Sequence, residues 1–233
     1  MPEVCSTVIK LTGKEAKDVN VLYLGTATYD LPGPLYNQTF QLEKAGCTVS
    51  SLKVTSSVPD GMSEEVEKSD IIVISGGNSL FAVDRWNKIG LAPMLRIAME
   101  RGAVLTGGSA GAICWFDGGH SDSWDPDTFK KAMLADKEER KDEASSAPKE
   151  GEKKKDWKYI RVPFLGFLPG LCVPHHDKVQ SNGVLRATDF DEMMKRHSGE
   201  RGICIDHFAA LVIDGEKYSV LSPEGKPGSV LDG

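Results

Sequence analysis

The chain has 233 residues, 40% hydrophobic and 27% charged, with a net charge of −6 at pH 7 and a pI near 5.4. That is enough chain for one α/β domain with a sizeable core across 1–233, and the acidic balance excludes a globally basic nucleic-acid surface. No apolar run reaches membrane-spanning length, and no signal-peptide pattern precedes the first polar residues, so neither a membrane nor a secretory route is expected.

In chain order, VNVLYLG (19 to 25) is an apolar run closed by glycine and predicts a buried strand. PGPLYNQTFQLEKAG follows with proline at its front and Gly46 at its back, the brackets of a helix. CTVSSLKV (47 to 54) alternates like a strand, and GMSEEVEKSD reads as an acidic helix. IIVISGGNS (71 to 79) is a fully apolar strand running into glycines. LAPMLRIAMERG is an amphipathic helix ended by Gly102, AVLTGG is the next strand, and SAGAICWF begins the next helix. Apolar strands alternating with helices predict a mostly parallel sheet with helices on both faces, joined by right-handed crossovers.

Residues 130–158 break the pattern. They are dense in charge and have no apolar period, which predicts a solvated, mobile insertion. Beyond it, GFLPGLCVPHHD (166 to 177) holds an apolar run, then comes a polar stretch with helix content, and GICIDHFAALVIDGEKYSVL (202 to 221) reads as strands joined at DGEK. The five cysteines, Cys5, Cys47, Cys114, Cys172 and Cys204, are odd in number and form no CxxC. Reduced thiols in a cytoplasmic protein are expected.

GGSAG (107 to 111) fits G-x-S-x-G. A serine at a sharp strand-to-helix turn needs small neighbours, because larger side chains would collide there. The following residue, Ala110, offers its backbone N–H at a helix start, where it can stabilise a developing oxyanion. ISGGNS is a second glycine turn at the end of a second strand, and Gly77 could supply a second such N–H. Its sequence lacks the Lys-Ser/Thr of a P-loop and the spacing of a dinucleotide fingerprint.

A serine nucleophile needs a base. The histidines are His120, His175, His176, His197 and His207, and the pair in CVPHHD follows an apolar run. Adjacent residues of an extended chain point to opposite faces, so one of His175 and His176 would reach Ser109. The base needs an acceptor on its other nitrogen. Asp122 and Asp125 lie just past the elbow, and Asp177 and Asp206 are alternatives. DSWDPD lacks the glycine and distal glutamate of a calcium loop, so no metal is expected, and no cofactor either.

Together, GGN after one strand, TGGSAGAICWF…SDSW after the next and PHHD after a later one resemble the peptidase E family, over roughly residues 15 to 215. These are serine peptidases with a flavodoxin-like or class I glutamine amidotransferase-like core, and they include α-aspartyl dipeptidases and cyanophycinases. The resemblance implies Ser109 as nucleophile, Gly77 and Ala110 as oxyanion donors and His175 as base, with His176 chosen by a second alignment. The acid it implies is Asp122. A late-turn alternative sits at Asp206 and His207, where some members carry Glu in the position of His207.

Two departures stand out. Relatives begin with an extra strand before the one matching VLYLG, and MPEVCSTVIKLTG offers no counterpart. Its loss would expose a neighbouring strand's polar backbone, which a homodimer could pair. Aspartyl dipeptidases also hold the substrate's acidic side chain with basic residues, for which Arg186 and Arg201 are the candidates here. The expected activity is hydrolysis of short peptides, with N-terminal Asp as one substrate class. A catalytically inactive binding or regulatory protein and a serine esterase are the alternatives.

Overall fold

The computed structural model describes residues 2–125, 154–226 and 228–232. The chain divides into two compact units, Met1–Ala112 with Ile213–Lys217, and Ile113–Val212 with Tyr218–Gly233.

The first unit opens on a helix, α1 (Pro2–Leu11), over residues whose sequence pattern predicts no element. It then alternates β1 (Asn20–Leu24), α2 (Pro32–Lys44), β2 (Thr48–Ser51), α3 (Met62–Glu67), β3 (Ile71–Ile74), α4 (Ser79–Ile89), α5 (Leu91–Glu100) and β4 (Val104–Gly107), with α4 an element beyond those expected from the sequence. The strands form one parallel sheet in the order β2-β1-β3-β4. Residues 21–24 and 71–74 are all buried, because helices cover both faces of the two inner strands. Val21, Tyr23, Ile71 and Val73 face α1 and α2, packing with Val8 and Leu42, while Val4, Cys5 and Ile9 of α1 close over them. Each such aliphatic side chain contributes about 1.5–3 kcal/mol by leaving water. Helix α4 is anchored by Trp86, a buried side chain whose indole N–H donates to Thr26 Oγ1 at 3.0 Å in the turn after β1.

The sheet reverses direction of growth between β1 and β3, and open α/β sheets bind ligands beyond the strand ends at such a point. The turn 25–31 after β1 and the turn 75–78 after β3 both lie there. Ile74 pairs in register with Gly107, so the turn after β4 is the next neighbour.

The second unit is built differently. SAGAICWF, which reads as the beginning of a helix, forms only the single turn α6 (Ala110–Ile113), and Phe116 already starts a strand, β5 (Phe116–Ser121). Aromatic residues and the glycine pair Gly118-Gly119 suit a strand closely covered by neighbours: a Cβ on Gly119 would lie 2.3 Å from the Phe164 ring. The strands β6 (Ile160–Pro163) and β7 (Leu168–Pro174) flank β5, antiparallel and parallel respectively. Helix α7 (Arg186–Arg196) precedes β8 (Gly202–Ile205), which pairs parallel with β7. Leu171 and Val173 of β7 pack on Phe190 and Met193 of α7. β9 (Ala210–Asp214) and β10 (Lys217–Leu221) form the hairpin expected at DGEK, and β11 (Val230–Asp232) pairs antiparallel with β8. The five-stranded sheet runs β11-β8-β7-β5-β6.

Most of the charged stretch 130–158 lies outside the described residues. Its final part is described and is not solvated throughout, because Trp157 is buried. The Ser181 hydroxyl accepts the Trp157 indole N–H at 2.8 Å and donates to Asp125 Oδ2 at 2.8 Å, and the Lys155 N–H donates to the Ser181 carbonyl. All five cysteines are free, and among the described residues no helix is long and apolar enough to cross a membrane.

Candidate active site

Ser109 sits where β4 ends and α6 begins, with φ +54. Left-handed backbone is unfavourable for a residue with a Cβ, and single residues held there mark functional turns when the surroundings impose it. The surroundings here are backbone atoms. A Cβ on Gly107 would lie 2.4 Å from the Ile74 carbonyl oxygen, and one on Gly111 would lie 2.2 Å from the same oxygen. The two strand ends approach so closely that only glycine fits at positions 107 and 111. The Gly111 and Ala112 amides donate to the Gly108 and Ser109 carbonyls, which closes the turn. Ser109 is half-buried and Ala110 is buried.

Gly77, the other expected oxyanion residue, has φ +116, and a Cβ there would lie 2.3 Å from the Ala27 carbonyl oxygen. The next amide, of Asn78, donates to that carbonyl at 2.8 Å, and the Asn78 side chain caps α4 by accepting from the Phe81 N–H. A Cβ on Gly76 would be 3.5 Å from Ser109 Cβ, so the two glycine turns are in direct contact. Both are therefore on one sheet edge, side by side, as the parallel register requires.

The histidines belong to the second unit. His175 follows Pro174, the last residue of β7, and also has positive φ, +51. Its Nδ1 lies 2.8 Å from Nδ1 of His207, which stands just after β8. Burial pushes His175 down to about 4, with the Arg186 and His207 charges acting the same way and Asp122 and Asp177 opposing. His176 turns to a different partner, with Nδ1 at 3.6 Å from Asp206 Oδ1. Burial disfavours ionised Asp206, but hydrogen bonds from the Ser229 hydroxyl and N–H, with the His176 imidazole, outweigh it and hold the carboxyl below its ordinary value. The adjacent histidines thus diverge, at a left-handed turn after β7 rather than along the extended chain that the sequence pattern predicts.

Asp122 is paired with Arg186, Oδ2 to Nη2 at 3.0 Å. The nitrogen of His175 that a triad acid would face is directed at His207, and Asp122 acts on His175 through its charge. Arg186 is fully buried; its Nη1 donates to the Pro174 carbonyl at 2.9 Å and its guanidinium stacks 5.0 Å over Tyr159. Asp125 accepts from Ser181, and Asp177 accepts the His207 backbone N–H at 2.7 Å. His120 is buried on Asp189, Nε2 to Oδ1 at 2.8 Å, and packs on Tyr159; burial pushes it below its usual value despite that carboxylate. His197 sits at the end of α7 beside Glu200.

Sequence reasoning missed the role of Tyr159 and Asp189 and the mutual contact of His175 with His207. The last had a visible signal, since both residues follow short apolar runs that become adjacent parallel strands.

Comparison with known proteins finds a peptidase family, two solved peptidase structures and two curated relatives, one of which carries a peptidase name. The model of peptidase family S51 matches residues 2–221. A Trypanosoma brucei brucei protein named G2/mitotic-specific cyclin-1 is 31% identical over 254 residues, covering 98% of this chain and 74% of its own. The uncharacterized peptidase YgaJ of Bacillus subtilis (strain 168) is 30% identical over 167 residues, 72% of this chain and 59% of that one. Among solved structures, a peptidase from an acI-B1 actinobacterium superimposes with a TM-score of 0.64 at 16% identity, covering 99% of this chain and 87% of that one. A Listeria monocytogenes EGD-e protein assigned to peptidase E gives 0.60 at 14% identity, covering 96% and 95%. At these identities the two structures speak to the fold, a flavodoxin-like α/β arrangement.

Proposed function

This chain belongs to peptidase family S51 and is a serine peptidase, and on that premise we propose that it hydrolyses short peptides with Ser109 as nucleophile and His175 as general base. The observation that carries the assignment is the backbone of Ser109, held at positive φ with Gly107 and Gly111 pressed against the Ile74 carbonyl. His175 takes the Ser109 Oγ proton on Nε2 as the Oγ–carbonyl carbon bond forms. The carbonyl π pair becomes an oxyanion, for which the Gly77 and Ala110 N–H groups are the donors. The oxyanion collapses, the C–N bond breaks, and His175 returns the proton to the leaving amine. Water then repeats the sequence on the acyl-enzyme. Asp122 contributes negative charge to the imidazolium, held in place by Arg186.

The substrate class is short peptides with an acidic N-terminal residue. Support comes from Lys178 and Lys226, whose ammonium groups lie 5.3 and 4.8 Å from the Phe208 ring centroid beside His207. Five free thiols support a cytoplasmic location. A second reading, binding without turnover, takes its support from the Asp122–Arg186 pair, which occupies the carboxylate expected to back the base. The deciding experiment incubates wild type and Ser109→Ala with Asp-X and Ala-X dipeptides and nitrophenyl esters. Asp-X cleavage by wild type alone is the expected result. Binding with no cleavage and no fluorophosphonate label on Ser109 would sink the hydrolase reading, and far faster ester turnover would make the protein an esterase.

A further inference from the structure

We propose that His207 is the positioning residue of the base, holding His175 in the tautomer whose Nε2 carries the lone pair. The inference deepens the hydrolase reading above and rests on it.

Two imidazole nitrogens 2.8 Å apart must share one proton, since two lone pairs or two N–H groups would repel at that distance. Of the two ways to place it, one has His175 donating its Nδ1–H to His207 Nδ1. Only that one leaves His175 Nε2 free to accept a proton, and only that one survives when His175 becomes imidazolium and both its nitrogens are donors. His207 then keeps its own proton on Nε2. During attack a single proton moves, from Ser109 Oγ to His175 Nε2; the Nδ1 proton stays where it is.

Both rings are held for this. The backbone on either side of His175 is tied down: the Pro174 carbonyl accepts from Arg186 Nη1, the His176 N–H donates to the Ile205 carbonyl and the Lys178 N–H donates to the His175 carbonyl. His207 is fixed by its backbone N–H on Asp177 and by edge contact with Phe208, ring centroids 4.6 Å apart. The arrangement differs chemically from a carboxylate-backed base. A neutral imidazole accepts the hydrogen bond without adding a negative charge, so the imidazolium is stabilised less and the base stays weaker.

The charges facing the pair come from several elements. Asp122 and Asp177 favour protonation of His175 and Arg186 opposes it; around His207, Asp177 favours protonation while Lys178 and Lys226 oppose it. Protonating His207 turns its Nδ1 into a second donor and breaks the contact. Activity therefore falls in acid through a step that belongs to both histidines together.

The test uses the full chain, a fluorophosphonate probe for Ser109, and ¹⁵N-histidine labelling to read tautomers by long-range ¹H–¹⁵N spectra. His207→Ala is expected to slow probe labelling about a hundredfold and to leave His175 in mixed tautomers. His207→Gln, which keeps a neutral acceptor, restores most of the rate. His207→Glu restores it and moves the acid limb of the rate–pH profile up by about one pH unit, because a carboxylate stabilises the imidazolium. Labelling of His207→Ala at the wild-type rate, with an unchanged pH profile and an unchanged His175 tautomer, overturns this inference alone. Failure of wild type to label at Ser109, or equal labelling by His175→Ala, overturns the hydrolase reading, and the inference falls with it. Thermal unfolding of each variant shows whether a slow rate reflects loss of fold, and the Gln and Glu variants decide the matter if the Ala variant does not fold.

Discussion

Asp122 and Arg186 meet at 3.0 Å, with the arginine side chain almost wholly out of solvent and the aspartate about one-fifth exposed. Removing one member of such a pair strands the other charge in a poor solvent. Asp122→Ala is expected to cost about 3–5 kcal/mol of stability, and Asp122→Asn less, since the amide oxygen still accepts. Urea unfolding measures both. An Asp122→Ala midpoint equal to wild type would show that the pair does not hold this part of the fold.

The glycines around Ser109 should differ sharply in tolerance. Gly111→Ala drives a methyl to 2.2 Å from the Ile74 carbonyl, and Gly108→Ala meets nothing within 4 Å. The first is expected to lose more than about 3 kcal/mol and the second less than about 1 kcal/mol. Thermal or urea unfolding of the two variants side by side checks this, and equal destabilisation would contradict the close approach of the strand ends.

Strain at Ser109 gives a further expectation. Ser109→Gly removes the Cβ from a left-handed position, so its stability should match or exceed wild type by up to about 1 kcal/mol, while fluorophosphonate labelling disappears. A clear loss of stability in Ser109→Gly would mean that the side chain serves the fold.

Stability should also follow pH in a defined window. His175 titrates near 4 in the folded chain against 6.5 for a free imidazole, because burial disfavours its charge. Above about pH 6.5 the histidine is neutral in both states and its contribution is complete. Between about 6.5 and 4 the unfolded chain binds the extra proton, so stability falls as pH falls, by at most about 1.4 kcal/mol per pH unit. His120 and His207, also pushed down by burial, act in the same direction. His175→Asn should flatten the stability–pH curve between pH 4 and 6; an unchanged slope would refute the assignment.

The parallel half of the fold was legible because its strands are short apolar runs that end in glycine. IIVISGG and AVLTGG announce both the strand and the close approach that follows. The second half was less legible. FDGGHS does not look like a strand until Phe164, Leu171 and Arg161 are seen filling the space over Gly118 and Gly119. α1 was also unread, because an amphipathic decapeptide gains its stability from the face of β1 and β3 it covers. At the site, Ser109 and the glycines were readable from local spacing. The partners of the histidines were not. Burial of Arg186 depends on residues far away in sequence, and arginine is among the residues least often found inside.

The clasp at Ser181 bears on what this chain can carry. Asp125 and Trp157 converge on one hydroxyl, so the described chain ending at 125 and the described chain resuming at 154 are tied at a single doorway. Foreign sequence spliced in between those two ends, a fluorescent reporter for instance, would lengthen a connection whose ends are already tied, and each doubling of its length adds only about 0.6 kcal/mol. The same doorway offers a place to tether the enzyme to a surface while leaving the serine turn untouched in sequence.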